Sequence, residues 1–128
     1  MYVTDTNAFV WFLTKDNKLG RKAMEVFLQA DEAETQIVVP SIVLLETLYI
    51  CEKHRMEIKF ADVLERIRGV LNYPVYPLDL KVIEECRKLK QLDLHDRVIV
   101  ATAKLLNAKV LTKDEDILKS KLVEVIWA

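Results

Sequence analysis

The strongest constraint on this chain is the way short apolar or β-branched runs pass directly into helical patterns. Tyr2-Val3-Thr4 holds neither Gly nor Pro and runs into Asp5, after which Ala8, Phe9, Trp11, Phe12 and Leu13 recur at helical spacing. The handover repeats. Residues 36–39 form a β-branched run before Pro40-Ser41, where Ser41 is a candidate N-cap for a helix containing Glu46. Val75-Tyr76 precedes a helix over Val82, Ile83, Cys86 and Leu89, with Asp79 as its cap. Residues 109–112 precede a turn of helix from Asp114 to Leu118, and residues 123–126 make a last strand. Helical stripes fill the intervals: Ala23, Val26, Phe27 and Ala30, a helix over residues 58–72 ended by Tyr73-Pro74, and one entered through Leu94-His95-Asp96 and running through Leu106. Strands alternating with helices predict a parallel sheet covered on both faces, an α/β/α sandwich. With no repeat, linker or low-complexity segment, residues 1–128 read as a single domain.

Composition removes several functions. Nineteen Lys and Arg against twenty Asp and Glu leave a net charge of −1, so no overall basic field advertises a nucleic-acid binder. Local contacts or metal ions would have to hold such a substrate. Only two glycines occur, Gly20 and Gly69, which excludes the P-loop and the Gly-rich dinucleotide fingerprint. There is no G-x-S-x-G elbow and no H-E-x-x-H, and His54 and His95 are isolated. Cys51 and Cys86 lack metal or redox spacing and read as reduced thiols. Strand character from Tyr2 leaves no room for a signal peptide, and the most apolar stretch, 37–50, is interrupted by Pro40, Ser41 and Glu46 and is too short to span a bilayer. The expectation is a soluble, cytoplasmic protein with no membrane partner.

Four acids carry the chemistry. Glu46 lies in Ser-Ile-Val-Leu-Leu-Glu-Thr-Leu-Tyr-Ile, where the residues three and four away are Ile42, Val43, Tyr49 and Ile50, so no helical neighbour offers a cation. A carboxylate in such a face needs a distant Lys or Arg, an exposed edge, or a metal ion or proton. Asp96 likewise faces Ile99 and Val100, and its ordinary reading is a helix N-cap. Asp5 and Asp114 follow strands directly; each could be only a cap, and Asp116 competes with Asp114. Strand exits and the following helix starts share one edge of a parallel sheet, so Asp5, Glu46, Asp96 and Asp114 are expected to converge there. Clustered carboxylates require a cation, and hard oxygen donors without His or Cys suit Mg²⁺ or Mn²⁺. Such ions activate water and stabilise leaving oxygens in phosphoryl chemistry.

Val3-Thr4-Asp5-Thr6-Asn7, Pro40-Ser41 with Glu46, Leu94-His95-Asp96-Arg97 with Ala101-Thr102-Ala103, and Leu111-Thr112-Lys113-Asp114 together resemble the PIN domain, and more narrowly VapC-type toxins. The resemblance runs from Tyr2 to Trp127. It implies a parallel-sheet fold, a metal-dependent ribonuclease acting on RNA, a homodimer and a small VapB-like antitoxin partner. By position, Asp5, Glu46, Asp96 and Asp114 match the family's catalytic, metal-binding acids, with Asn7 and Thr112 as flanking polar residues. Lys15, Arg21, Lys22 and Arg97 are candidate RNA contacts, and Trp11 a candidate base-stacking residue. PIN domains also serve in RNA processing, and some are non-catalytic interaction modules. A different class, a receiver-like signalling module, would use Asp79 as phosphoacceptor near Thr112-Lys113, although only Asp5 stands where receivers place an acid pair.

Overall fold

The computed structural model describes residues 1–53, 56–69 and 71–128; the isolated His54 lies outside them. Five strands form one sheet in the order β3-β2-β1-β4-β5: β1 (Tyr2–Thr4), β2 (Ile37–Pro40), β3 (Val75–Tyr76), β4 (Lys109–Leu111) and β5 (Val125–Ile126). Every pairing is parallel. Val3 sits at the centre, in register with Val38 on one side and Val110 on the other, and all three are buried.

The connections are α1 (Thr6–Leu13), α2 (Arg21–Asp31), α3 (Ser41–Glu52), α4 (Phe60–Gly69), α5 (Leu80–Cys86), α6 (Leu94–Leu106) and α7 (Glu115–Ser120). They build two buried clusters. One gathers Phe9, Ala23, Phe27, Val43 and Val63 of α1 to α4 with Val3, Val39 and Val110 of the sheet. The other gathers Val82 and Cys86 of α5 with Ile117 of α7. Helix α6 serves both, giving Ile99 and Ala103 to the first and Val98, Val100 and Ala101 to the second. Its apolar run is therefore broader than an amphipathic stripe because it is packed on two sides.

From β1 the chain builds β2 and β3 outward on one side, then passes back to build β4 and β5 on the other. The order thus reverses between β1 and β4, and the crevice outside their carboxyl ends is where such sheets bind ligands. The topology also separates this chain from receivers. Their order of 2-1-3-4-5 puts β1 beside β3, whereas here β1 lies between β2 and β4. Asp79 has an ordinary role: its Oδ1 accepts from Val82 N–H at 3.1 Å and caps α5.

Several boundaries differ from the sequence expectation, among them β4, which ends at Leu111 rather than 112, and α7, which spans Glu115–Ser120 rather than 114–118. Strand β2 begins one residue later than 36–39 and includes Pro40, which pairs with Tyr76 at the strand end. The helix expected over 58–72 spans only Phe60–Gly69, because the Asn72 carbonyl is drawn into the sheet edge by Ile37 N–H at 2.9 Å. Strand β5 is Val125–Ile126 rather than 123–126, since Val123 packs half-buried against the core.

The carboxyl-terminal segment is tied down at Gly20, the N-cap of α2. There Ala23 N–H donates to the Trp127 carbonyl at 3.1 Å, and the Trp127 ring meets Trp11 edge-on at 5.9 Å. A Cβ at Gly20 would stand 2.3 Å from that carbonyl oxygen and 2.7 Å from its carbon. Backbone atoms on both sides leave little room to yield. Gly20→Ala is expected to lower unfolding free energy by about 1–3 kcal/mol, the usual cost of overpacking. Urea denaturation followed by Trp fluorescence measures it; an unchanged midpoint would show that the terminal segment moves aside freely.

Candidate active site

Asp5 closes β1 and opens α1. Its Oδ1 accepts from Ala8 N–H at 2.9 Å as the helix N-cap, so the capping role expected of it is present. Its Oδ2 remains, and the Thr112 hydroxyl donates to it at 2.5 Å. Thr112 follows β4 and is fully buried. The same hydroxyl oxygen accepts from Asp114 N–H at 3.0 Å, and Asp114 in turn caps α7 by accepting from Ile117 N–H at 3.0 Å. One buried hydroxyl thereby links the acids after β1 and β4 across the point where the strand order reverses. Capping and site roles coexist because a carboxylate has two oxygens.

Glu46 departs from expectation. Far from lying unpartnered in an apolar face, it is half-buried and held at both oxygens: Thr6 Oγ1 donates to Oε1 at 2.8 Å, and His95 Nδ1 lies 3.1 Å from Oε2. Helix α3 is also less enclosed than its sequence suggests, with Leu45 and Tyr49 more than half exposed. The partners come from α1 and α6, so no inspection of helical neighbours could find them. Thr6 and His95 are the two site residues that spacing within α3 does not reveal. For Thr6 the available signal is adjacency to Asp5.

Asp96 is not the N-cap of α6. That position belongs to Asp93, whose side chain makes no capping bond, and Asp96 sits in the first helical turn. No capping duty competes for its carboxylate. Burial and the surrounding negative charge of Asp114, Asp93, Asp5 and Asp116 push its pKa up to about 6. Asp5 is raised in the same direction, chiefly by burial, against the lowering effect of the Thr112 and Ala8 hydrogen bonds and with smaller contributions from Asp114 and Glu46.

These four acids line a single cleft of about 530 Å³, together with Thr6, Asn7, Trp11, His95, Lys113 and Glu115. Asn7 is exposed at its wall, whereas Thr112 lies beneath it. Glu115, not Asp116, is the additional acid at the lining, although the charge of Asp116 still reaches Asp96. Of the basic candidates, Arg97 has another task. Its Nε donates to the Leu92 carbonyl at 2.8 Å and a terminal nitrogen to the Lys90 carbonyl at 3.3 Å, which fastens the loop before α6. Lys15 lines a separate groove.

Among the described residues, no three His, Cys, Asp or Glu form a ready-made ion cage. The donor set nonetheless fits a hard cation. Carboxylate oxygens predominate, no thiol is present, and like-charge repulsion at Asp96 is what a bound cation relieves. Mg²⁺ in particular binds through one or two carboxylates and keeps several waters.

Comparison with known proteins identifies the family and the fold. The family model of the PIN domain matches residues 2–121. The chain belongs to the PIN domain family. Its PIN fold is shared with solved structures of low sequence identity. A chain of VapBC2 from Rickettsia felis, bound to a DNA fragment from the promoter, is 18% identical with a TM-score of 0.72, over 99% of this chain and 98% of that one. A toxin–antitoxin complex from Klebsiella pneumoniae is 22% identical with a TM-score of 0.66, over 96% and 95%. DNA-bound VapBC from Salmonella typhimurium is 20% identical with a TM-score of 0.65, over 97% and 95%. No curated protein matches the chain. Among the described residues no helix is long and apolar enough to cross a membrane.

Proposed function

We propose that this PIN domain is a Mg²⁺- or Mn²⁺-dependent endoribonuclease and the toxin of a toxin–antitoxin pair. The observation that carries the reading is the convergence of Asp5, Glu46, Asp96 and Asp114 on one cleft at the β1/β4 crevice, where Asp96 is held near pKa 6 by burial and neighbouring acids. Such a cluster is costly unless a cation and a substrate use it.

A bound divalent ion supplies a nucleophilic water at neutral pH and charge stabilisation at the phosphoryl oxygens. The protein's part is positioning. Asp5 presents Oδ2 from a carboxylate fixed at both oxygens by Ala8 and Thr112. Thr112 sets the spacing of Asp5 and Asp114 through one hydroxyl. Thr6 and His95 orient Glu46 across the cleft from α1 and α6. Asp96, free of capping, is the carboxylate best placed to hold charge that the fold itself does not need.

The toxin reading rests on the toxin–antitoxin complexes that share its fold. Exposed Leu45 and Tyr49 on α3, with Leu80 and Ile83 on α5, support the need for protein partners, a second copy of this chain and a VapB-like antitoxin. An RNA-processing role keeps the same chemistry without the antitoxin. The test is direct. Purified protein is expected to cut RNA in Mg²⁺ or Mn²⁺ and to stop in EDTA, and its expression in bacteria is expected to arrest growth unless Asp5 is changed to Asn. Metal-independent cleavage, or none with either ion, would overturn the enzymatic reading; cleavage without growth arrest would remove the toxin role.

A further inference from the structure

Among the described residues, two grooves share lining residues with the acid cleft, and their charges differ. One shares Trp11 with the cleft and carries Lys15 and Lys18, but also Asp16, Glu57 and Asp62. Asp16 further occupies Lys18 in an ion pair at 3.8 Å. Among the described residues lining this groove, three acids stand against two lysines. The other, about 330 Å³, shares Lys113 and Asp114 with the cleft and continues past Lys22 to Trp127 and Ala128. Its lining sets Lys22 and Lys113 beside Asp114, which already belongs to the acid cluster.

From this contrast we infer that Lys113 and Lys22 form a phosphate-binding track, which carries the single-stranded RNA backbone out of the cleft and fixes its direction over the sheet edge. The inference rests on the ribonuclease reading and extends it. Lys113 is exposed, follows Thr112 directly and lies on the wall common to the cleft and the groove. Among the described residues it is the one Lys or Arg lining the acid cleft, and so the nearest cation for a phosphate next to the scissile one. Lys22, exposed in the first turn of α2, is the next. Of the basic residues the sequence offers, the geometry retains Lys22 and adds Lys113. Lys15 lies in the acidic groove, Arg97 fastens its own loop, and Arg21 lines neither the cleft nor either groove.

The experiment measures binding of a labelled single-stranded RNA oligonucleotide by fluorescence anisotropy across a KCl series. Asp5→Asn is the background, so that the RNA survives. Lys22→Gln and Lys113→Gln are each expected to weaken binding roughly 3- to 10-fold and to reduce the slope of log K against log salt by about 0.7, the value for one lost phosphate contact on a single strand. Lys22→Glu is expected to weaken binding further, and Lys15→Gln to leave both quantities as in the background. The track is overturned if Lys22→Gln and Lys113→Gln retain the background affinity and slope, or if Lys15→Gln loses as much as they do, while the unmutated chain cuts RNA. If the unmutated chain neither binds nor cuts RNA, the ribonuclease reading falls and the track with it. Circular dichroism of each variant separates a lost contact from a lost fold.

Discussion

Asp5→Asn is expected to reduce RNA cleavage by about a thousandfold, roughly 4 kcal/mol of transition-state stabilisation, while the fold stays intact. The two effects separate because the two oxygens of Asp5 do different things. Asn is as good an N-cap as Asp, so its amide oxygen keeps the Ala8 N–H bond that Asp5 Oδ1 makes. The amide nitrogen then faces Thr112, whose hydroxyl oxygen already accepts from Asp114 N–H. That oxygen has a second lone pair to accept from the amide, but its own hydrogen must find a new acceptor. The cost of about 1 kcal/mol is offset by removing a carboxylate whose burial already opposes its ionisation. Unfolding free energy should therefore change by no more than about 1 kcal/mol. Single-turnover cleavage and urea denaturation on the same preparation read both quantities. Full activity in Asp5→Asn would leave Asp5 as a helix cap and remove it from the chemistry.

That separation also marks what the sequence made legible. The sheet and the place of Asp5 were readable because a strand, an acid and a helix follow one another without a gap, and capping is a local event. Asp114 and Asp79 were readable for the same reason. The environment of Glu46 was not. Its helix shows only apolar neighbours, while the hydroxyl and imidazole that hold it arrive from α1 and α6. Arg97 illustrates the converse: a basic residue beside a site acid suggests substrate, yet its donors reach back to carbonyls of the preceding loop. Asp96 lies one turn inside α6 rather than at its cap, where Asp93 stands, because two acids three residues apart could each be read as the N-terminal one. Long-range hydrogen bonding decided the case of Glu46, whereas Asp96 and Arg97 turned on where the loop before α6 gives way to the helix.

Asp96→Asn is expected to make the metal-free protein more stable and, at the same time, nearly inactive. With its pKa near 6 in the folded protein and about 3.9 unfolded, Asp96 is ionised in both states at pH 7, and the native state bears the full cost of that charge. As pH falls through 6 the native carboxyl takes up a proton that the unfolded chain does not yet bind. Stability therefore rises on acidification from pH 7 to 5, and burial-raised Asp5 acts in the same sense. The unscreened value approaches 3 kcal/mol, and solvent access to the cleft reduces it to about 1 kcal/mol. Neutralising the residue should add about 1 kcal/mol at pH 7 and flatten the rise toward pH 5. Mg²⁺ reverses the ranking: an ion that binds only the folded state stabilises the unmutated chain by mass action, and the variant less so. Cleavage should fall by about two to three orders of magnitude, as expected when a charge that holds the ion is lost. Urea titrations at pH 7 and 5, in EDTA and in Mg²⁺, distinguish this from a structural role. A variant that is less stable in EDTA and still cuts RNA would mean that Asp96 serves the fold, and that the cation site is built from the other three acids.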